Sequence, residues 1–462
     1  MRARTTLATA LSVAAVGLAA GCGGSGPASS ELGGAASVAP SDAVAFVALD
    51  TDVSSSQWQA VDGLLKKLPA QGDLLTTLEQ SFAKHTKLSW QDDVQPALGS
   101  ELDLVVLPGT KPQLVALTQP ADAAKLAALL PKLGANLVSA QIGAWTAISD
   151  TRAALDTVQN AGTKLADNNT YQVATAKLST DALVRAYANG GEAQQLLDAL
   201  GTQAPAGTAV PFAWAAADVV AAGDGVRVHG YSLASSSANA SVPAQPYAPQ
   251  LVDAIPAGAI LVADFPVAQG QFEQAGTKSV LEKVFGANAA TVASELDTIL
   301  GGETALYVRP GLPIPEVTLV TEPRDPAAAT QALPELVRAL TQLAGAQVAG
   351  LNLGSVHAVV GGRLVVSTTP QGLADFQSAG PKLSGDPSFQ SARQGSGLPA
   401  ETTGFVYANV ASALPLVKLA APLLGVALPP GLLTDAGAVK TLIAFGTRNG
   451  DESAVTAFLQ LG

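Results

Sequence analysis

A chain that writes the same ordered run of motifs twice is constrained to fold as two similar units, and this sequence does so over most of its length. Val138 to Ala174 aligns without a gap to Val356 to Ala392, matching Gly143 with Gly361, Leu155 with Leu373, Gly162 with Gly380, and Lys164-Leu165 with Lys382-Leu383. Upstream, "LGSELDLVVLPG" from Leu98 answers to "LGGETALYVRPG" from Leu300, and "APSDAVAFVALD" answers to "IPAGAILVADFP". Both copies close on a turn between apolar runs, at Gly223-Asp224-Gly225 and at Asn449-Gly450-Asp451, which are hairpin signals. A repeated scaffold needs only caps, turns and core anchors repeated, whereas a repeated site would need its chemistry repeated as well.

Within each copy the elements follow from pattern. "AVAFVAL" reads as a strand, and "ELDLVVLPGTKPQLVALTQ" as two strands joined by a Pro-Gly turn. Asp122 and Asp325 stand where a helix N-cap belongs, ahead of Leu126, Leu129, Leu130, Leu133 and of Leu333, Leu336, Val337, Leu340, both spaced i, i+3, i+4, i+7. A hairpin turning at Gly143 or Gly361 follows. A second helix starts near Asp150 or at Thr369-Pro370 and ends against Gly162 or Gly380, where a left-handed cap is expected. Asn168 and Asp386 then read as N-caps of a further helix, with Tyr171 and Phe389 as one aromatic anchor. The expected class is α+β: a tandem duplication of a mostly antiparallel sheet with helices packed on one face. The repeats fall at residues 38–234 and 248–462, with a polar small-residue linker at 235–247.

The N-terminus says where the chain goes. Arg2 and Arg4 precede an apolar run from Leu7 to Ala20, shorter than the roughly 20 residues a membrane span needs, so residues 1–21 read as a cleaved signal peptide. Cys22 is the single cysteine and follows "LAAG", which resembles a bacterial lipobox; that resemblance implies cleavage before Cys22, lipid on its new amino terminus and attachment to the extracytoplasmic face of the cell membrane. Residues 22–37 are glycine- and serine-rich and read as a flexible tether. The formal charge of −12 becomes −14 when the leader takes its two arginines away, and an acidic surface without a basic stripe argues against nucleic acid as a partner.

Residues that could carry chemistry are few. His85, His229 and His357 sit in unlike contexts and none recurs in the other copy, which favours structural histidine over a metal or catalytic role. "DTDVS" from Asp50 fails as a calcium loop, because Ser55 stands where glycine is required and Val61 where glutamate should chelate. Asp92-Asp93 has no counterpart in the second copy. Glu101 and Glu303 do recur, directly before the strand pair, and are the better carboxylate candidates; Lys164 and Lys382 are recurring cations whose neighbours look structural. No nucleophile elbow, phosphate loop, dinucleotide fingerprint or zinc-spaced set is present, so no catalytic residue, metal ligand or cofactor is assigned.

The lipobox, the tether, "LG.E" before a strand pair and the "KL..(D/N)..(F/Y)" turn together resemble the bacterial family called "domain of unknown function 3352", found in actinobacterial lipoproteins. The resemblance implies extracytoplasmic membrane attachment and brings no catalytic residue with it. The expected function is a lipid-anchored binding or scaffolding protein without catalytic activity, whose partner is an envelope protein. A carrier of an apolar small molecule or lipid and an unrecognised envelope hydrolase are the alternatives, and the helical region from Ser54 to Gln95 is the place where a function unique to the first copy is expected.

Overall fold

The structure is a computed structural model, and it describes residues 32–67, 88–89, 93–94, 97–109, 113–133, 136–193, 212–235, 245–311, 315–344, 356–423 and 436–462. The signal peptide, Cys22, most of the tether, His85, Asp92 and linker residues 236–244 lie outside that set. Two compact units divide the chain between Ala238 and Asn239; residues 450–454 and 461–462, expected in the second repeat, group with the first. No helix among the described residues is long and apolar enough to cross a membrane.

The first unit runs β1 (Ala45–Asp50), α1 (Ser56–Leu65), β2 (Glu101–Leu107), β3 (Gln113–Thr118), α2 (Ala123–Leu133), β4 (Val138–Ile142), β5 (Trp145–Ser149), α3 (Arg152–Gln159), α4 (Asn169–Thr175), β6 (Val184–Asn189), β7 (Phe212–Ala222) and β8 (Gly225–Ala234). Its strands lie in the order β4-β5-β3-β2-β1-β6-β7-β8, with antiparallel ladders throughout.

The second unit runs β9 (Leu261–Val267), α5 (Ala275–Phe285), α6 (Ala289–Ile299), β10 (Gly302–Arg309), β11 (Glu316–Thr321), α7 (Pro326–Ala344), β12 (Val356–Val360), β13 (Arg363–Ser367), α8 (Pro370–Gln377), α9 (Pro387–Ser396), β14 (Gly404–Asn409), α10 (Val410–Leu423), β15 (Val439–Asn449) and β16 (Glu452–Leu461). Its order is β12-β13-β11-β10-β9-β14-β15-β16, which is the order of the first unit with each strand replaced by its later counterpart. The chain is α+β with antiparallel sheet, as the sequence pattern requires.

The helices do not gather on one face. In the first unit Phe46, Val105, Leu107, Val115 and Leu117 pack with α3 and α4, while Leu49, Leu102, Ala116 and Ile148 pack with α2 on the opposite side. The second unit repeats this, with α8 and α9 on one face and α5, α6 and α7 on the other. The physical reason is in the strands: "AFVALD" and "ELDLVVL" are nearly continuous apolar runs, the pattern of a sheet buried on both sides rather than on one.

The tether is shorter than residues 22–37. Leu32, Ala35 and Ala36 are buried in the first core, and Gly34–Ser37 forms a 3-10 turn, so the folded body begins by residue 32. The linker also ends early. Tyr247 exchanges both backbone hydrogen bonds with Thr402, each 2.9 Å, and so belongs to the second unit.

Candidate functional site

The repeated motifs resolve into scaffold. In "LG.E", a Cβ on Gly99 would lie 1.9 Å from the carbonyl oxygen of Gln119, and one on Gly301 would lie 3.0 Å from that of Glu322, so glycine lets the end of β3 or β11 approach. The glutamate that follows caps the lead-in of each unit. Glu101 accepts from the backbone N–H groups of Gly33 and Gly34 at 2.5 and 3.0 Å, and Glu303 from those of Gln250 and Leu251 at 2.8 and 2.7 Å. Sequence reasoning selected these two residues as carboxylates and could not see that their partners lie more than fifty positions upstream.

Lys164 and Lys382 are structural as well. Lys164 donates to the carbonyls of Val38 and Val158, and Lys382 to those of Phe376 and Ser378, so each ammonium neutralises the carbonyl end of the preceding helix. This replaces the left-handed cap expected of Gly162 and Gly380, neither of which has a positive φ; α3 and α8 end before them, at Gln159 and Gln377. The first of those helices is capped by Thr151 rather than Asp150. Asn168 and Asp386 are N-caps; Tyr171 packs edge-on against Tyr187, and Phe389 edge-on against Tyr407.

The remaining candidates scatter. His229 Nδ1 is 2.7 Å from Asp218 Oδ1, His357 is exposed on β12, and Asp93 is paired with Lys132. Asp50 is buried and accepts from Ser55 Oγ at 2.6 Å; burial pushes its carboxyl up to about 6, against the pull of Ser55. Among the described residues no three His, Cys, Asp or Glu side chains are grouped to hold a metal ion.

What sequence reasoning missed is a cross-strand exchange. Ala48 of β1 pairs with Asp103 of β2, and in the second unit Asp264 of β9 pairs with Ala305 of β10. Each sheet thus buries one aspartate at one paired position, on opposite strands. On the next strand of the row the first unit has Arg185, whose guanidinium donates to Leu32 and Thr175 carbonyls, whereas the second has Phe405. Asp103 accepts from Ala35 N–H at 3.0 Å, and burial, with Glu101 beside it, raises its carboxyl well above the usual range. Asp264 accepts from Tyr247 Oη at 2.5 Å and is pushed up to about 8 by burial, with Glu303 and Glu322 adding to the rise. Both aspartates therefore keep a proton well above the ordinary carboxylate range, each beside a glutamate.

Beside the Asp264–Glu303 pair the second unit opens a cleft of about 810 Å³. Its polar wall is Gln245, Gln250, Gln271, Gln274, Glu303 and Glu322, with Tyr247 and Phe265 supplying aromatic surface. No lysine or arginine is among the described residues that line it. Glu322 is two-fifths exposed and accepts from Arg363 Nε at one oxygen, 3.0 Å.

The same corner of the first unit is closed. Asp50, at the position of Pro266, holds Ser55 Oγ and the Asp52 N–H; Trp58 Nε1 donates to the Asp50 carbonyl at 3.0 Å; Gln57 accepts from Ala221 N–H at 2.8 Å and donates to Asp181. Most of the helical region where a function unique to the first copy was expected, residues 68–87, 90–92 and 95, lies outside the described residues.

Residues 5–141 match the family described as "Protein of unknown function (DUF3352)", so the resemblance read from the sequence holds over that segment. No curated protein matches the chain. Two crystal structures of a protein named TP0453, in crystal forms III and IV, are similar to it at 7% and 6% identity, covering 44% and 45% of this chain and 80% and 81% of theirs, with TM-scores of 0.24 and 0.25. Likeness at that level carries no argument about fold or function.

Proposed function

We propose that this chain, whose first third matches a family of unknown function, is a non-catalytic binding protein held at the extracytoplasmic face of the cell membrane by lipid on Cys22, palmitate among its acyl chains. Its ligand site is the cleft of the second unit. The observation that carries this reading is the contrast of one corner in two copies: sealed by an Asp50–Ser55–Trp58 network in the first, open over about 810 Å³ in the second. A pocket of that size is ordinary for a small-molecule site.

The lining is mixed: apolar surface, Phe265, Pro266, Val267 and Ala268 included, makes up the larger part, beside glutamines and carboxylates, which suits a small molecule with an apolar body and polar ends. Gln245, Gln250, Gln271, Gln274, Glu303 and Glu322 offer hydrogen-bonding groups to the polar part of such a ligand. The carboxylates converge as a hydrolase would require, yet each is engaged: Glu303 caps two backbone N–H groups, Glu322 pairs with Arg363, and Asp264 lies behind them, held by Tyr247. That engagement favours binding over acid–base chemistry.

Native mass spectrometry of the body, made in a host of its own kind, tests the reading. The expected result is one small passenger with an apolar body and polar ends per chain, absent from Thr277→Trp, which fills the cleft. An extract of acyl lipid alone, or a passenger that Thr277→Trp retains, would remove the cleft from the function. Anchoring is tested separately: Cys22→Ala is expected to release the protein from membranes, and a variant that stays bound and identically processed sinks that half of the proposal.

A further inference from the structure

We infer that the cleft of the second unit selects ligands carrying a protonated amine, and that Glu303, Glu322 and the Asp264 carboxyl behind Glu303 form its cation-recognising wall. This rests on the reading of the cleft as a ligand site and adds the ligand's chemical class.

Beside the cleft the fold gathers acidic groups with no cation on the sheet row of Asp264. Asp264 is 1% exposed, and its Oδ2 has no hydrogen-bond donor in the structure. Its neighbours along the sheet are Ala305 on β10 and Phe405 on β14, neither of which brings charge. The groups that do face it are Tyr247 from the lead-in segment, Glu303 from β10 and Glu322 beyond β11; all are acids or a neutral donor. In the first unit the matching row contains Arg185. In the second, Arg363 meets Glu322 on one oxygen. The other Glu322 oxygen crowds Gly302, where a Cβ would come within 3.2 Å of Oε2. Gly302 holds φ at +55°, so the chain keeps that approach open.

Glu303 lies between Asp264 and the open space. Its carboxylate already caps Gln250 and Leu251, and it also lines the cleft. With no lysine or arginine among the described lining residues, the potential inside is negative, and a cleft with low-dielectric walls concentrates that field on whatever enters. The glutamines and the rings of Tyr247 and Phe265 then match the rest of such a ligand, through hydrogen bonds and through stacking or cation–π contact. An amine that settles against Glu303 also favours the charged form of Asp264, so binding near neutral pH releases a proton from that carboxyl. As pH rises through the titration of Asp264, the added negative charge tightens the site, provided the ligand amine stays protonated.

The experiment compares 1,6-diaminohexane with 1,6-hexanediol by calorimetry on the whole body, in two buffers of different ionisation enthalpy at pH 7. The expected result is saturable binding of the diamine with proton release, and binding of the diol at least about tenfold weaker, a difference near 1.4 kcal/mol. Thr277→Lys sets a cation at the cleft wall and is expected to abolish diamine binding, whereas Thr277→Met, of similar length and no charge, keeps it. Asp264→Asn is expected to weaken diamine binding and to lose the proton release. Equal binding of diol and diamine, or equal effects of Lys and Met at position 277, would overturn the amine selectivity while leaving the cleft a binding site. Absence of saturable diamine binding also overturns it; if Thr277→Trp then leaves the native passenger in place, the functional reading of the cleft fails as well.

Discussion

The first unit and the second share one strand order, one pair of lead-in caps and one aromatic anchor, and they differ at the corner where β1 or β9 ends. In the first unit Asp50, Ser55, Gln57 and Trp58 spend their hydrogen bonds on one another and on the sheet. In the second the corresponding stretch passes through Pro266 to a 3-10 turn at Gln271–Glu273, and its glutamines face open space. Two units of one strand order can thus keep a common framework through matching buried caps and anchors while their corners differ.

The anchor is where that shared framework is easiest to break. Phe389 is fully buried against Phe405 and Tyr407, and Phe389→Ala is expected to destabilise the second unit by about 3–5 kcal/mol in urea melts. Tyr171→Ala should do the same to the first unit, and hydrogen exchange should show the loss confined to the unit that carries the change. A loss spread evenly over both would argue against independent cores.

The lead-in caps come next. Glu101→Ala strands the N–H groups of Gly33 and Gly34, and Glu303→Ala those of Gln250 and Leu251, so each is expected to cost about 1–3 kcal/mol per stranded donor. The comparison sharpens in the readout: the first change should speed exchange at residues 32–37, the second at 247–253. Equal behaviour of Glu101→Ala and the native protein would show that residues 32–37 are tether after all.

A pH series separates the buried acids from ordinary ones. Folded Asp264 keeps its proton to about pH 8 while the unfolded chain releases it above 3.8, so the unfolded state binds fewer protons across that window and stability falls as pH rises. The contribution is fully present below 3.8 and lost as pH climbs to about 8. Asp264→Asn is expected to flatten that slope and to raise the melting temperature at pH 8 relative to the native protein, by about 2–4 °C for each kcal/mol regained. A native protein whose melting point is level from pH 4 to 8 in this unit would contradict the placement of Asp264.

The smallest effect belongs to the lysines. Lys382→Met keeps the alkyl stem and removes the charge at the carbonyl end of α8, and about 0.3–1 kcal/mol of destabilisation is expected, with no change in diamine binding. A change in that binding would give the recurring lysine a ligand role.

How far the sequence could be read divides along the range of the interaction. The hairpin glycines at 143 and 361, the caps at Asn168 and Asp386, and the anchor at Tyr171 and Phe389 depend on neighbours within a few positions, and all are where spacing puts them. The helix ends at Gln159 and Gln377 were misplaced because a lysine ammonium, not the glycine, completes them. Burial of Leu32 was illegible because the donors and acceptors that hold it, Glu101, Asp103 and Arg185, lie on strands far along the chain. The site was harder still: the cleft is built from segments far apart in the chain, and the Asp103–Asp264 exchange appears only once β1 with β2 and β9 with β10 are set in register.

The most direct test of the account is thiol accessibility at that one corner. In a Cys22→Ser background, Thr277→Cys places a thiol at the cleft wall of the second unit, and Gln57→Cys places one in the sealed network of the first. The account predicts rapid maleimide labelling at position 277 and labelling slower by at least about a hundredfold at position 57, where the thiol must wait for local opening. Equal rates at the two positions would contradict the division into a closed copy and an open one.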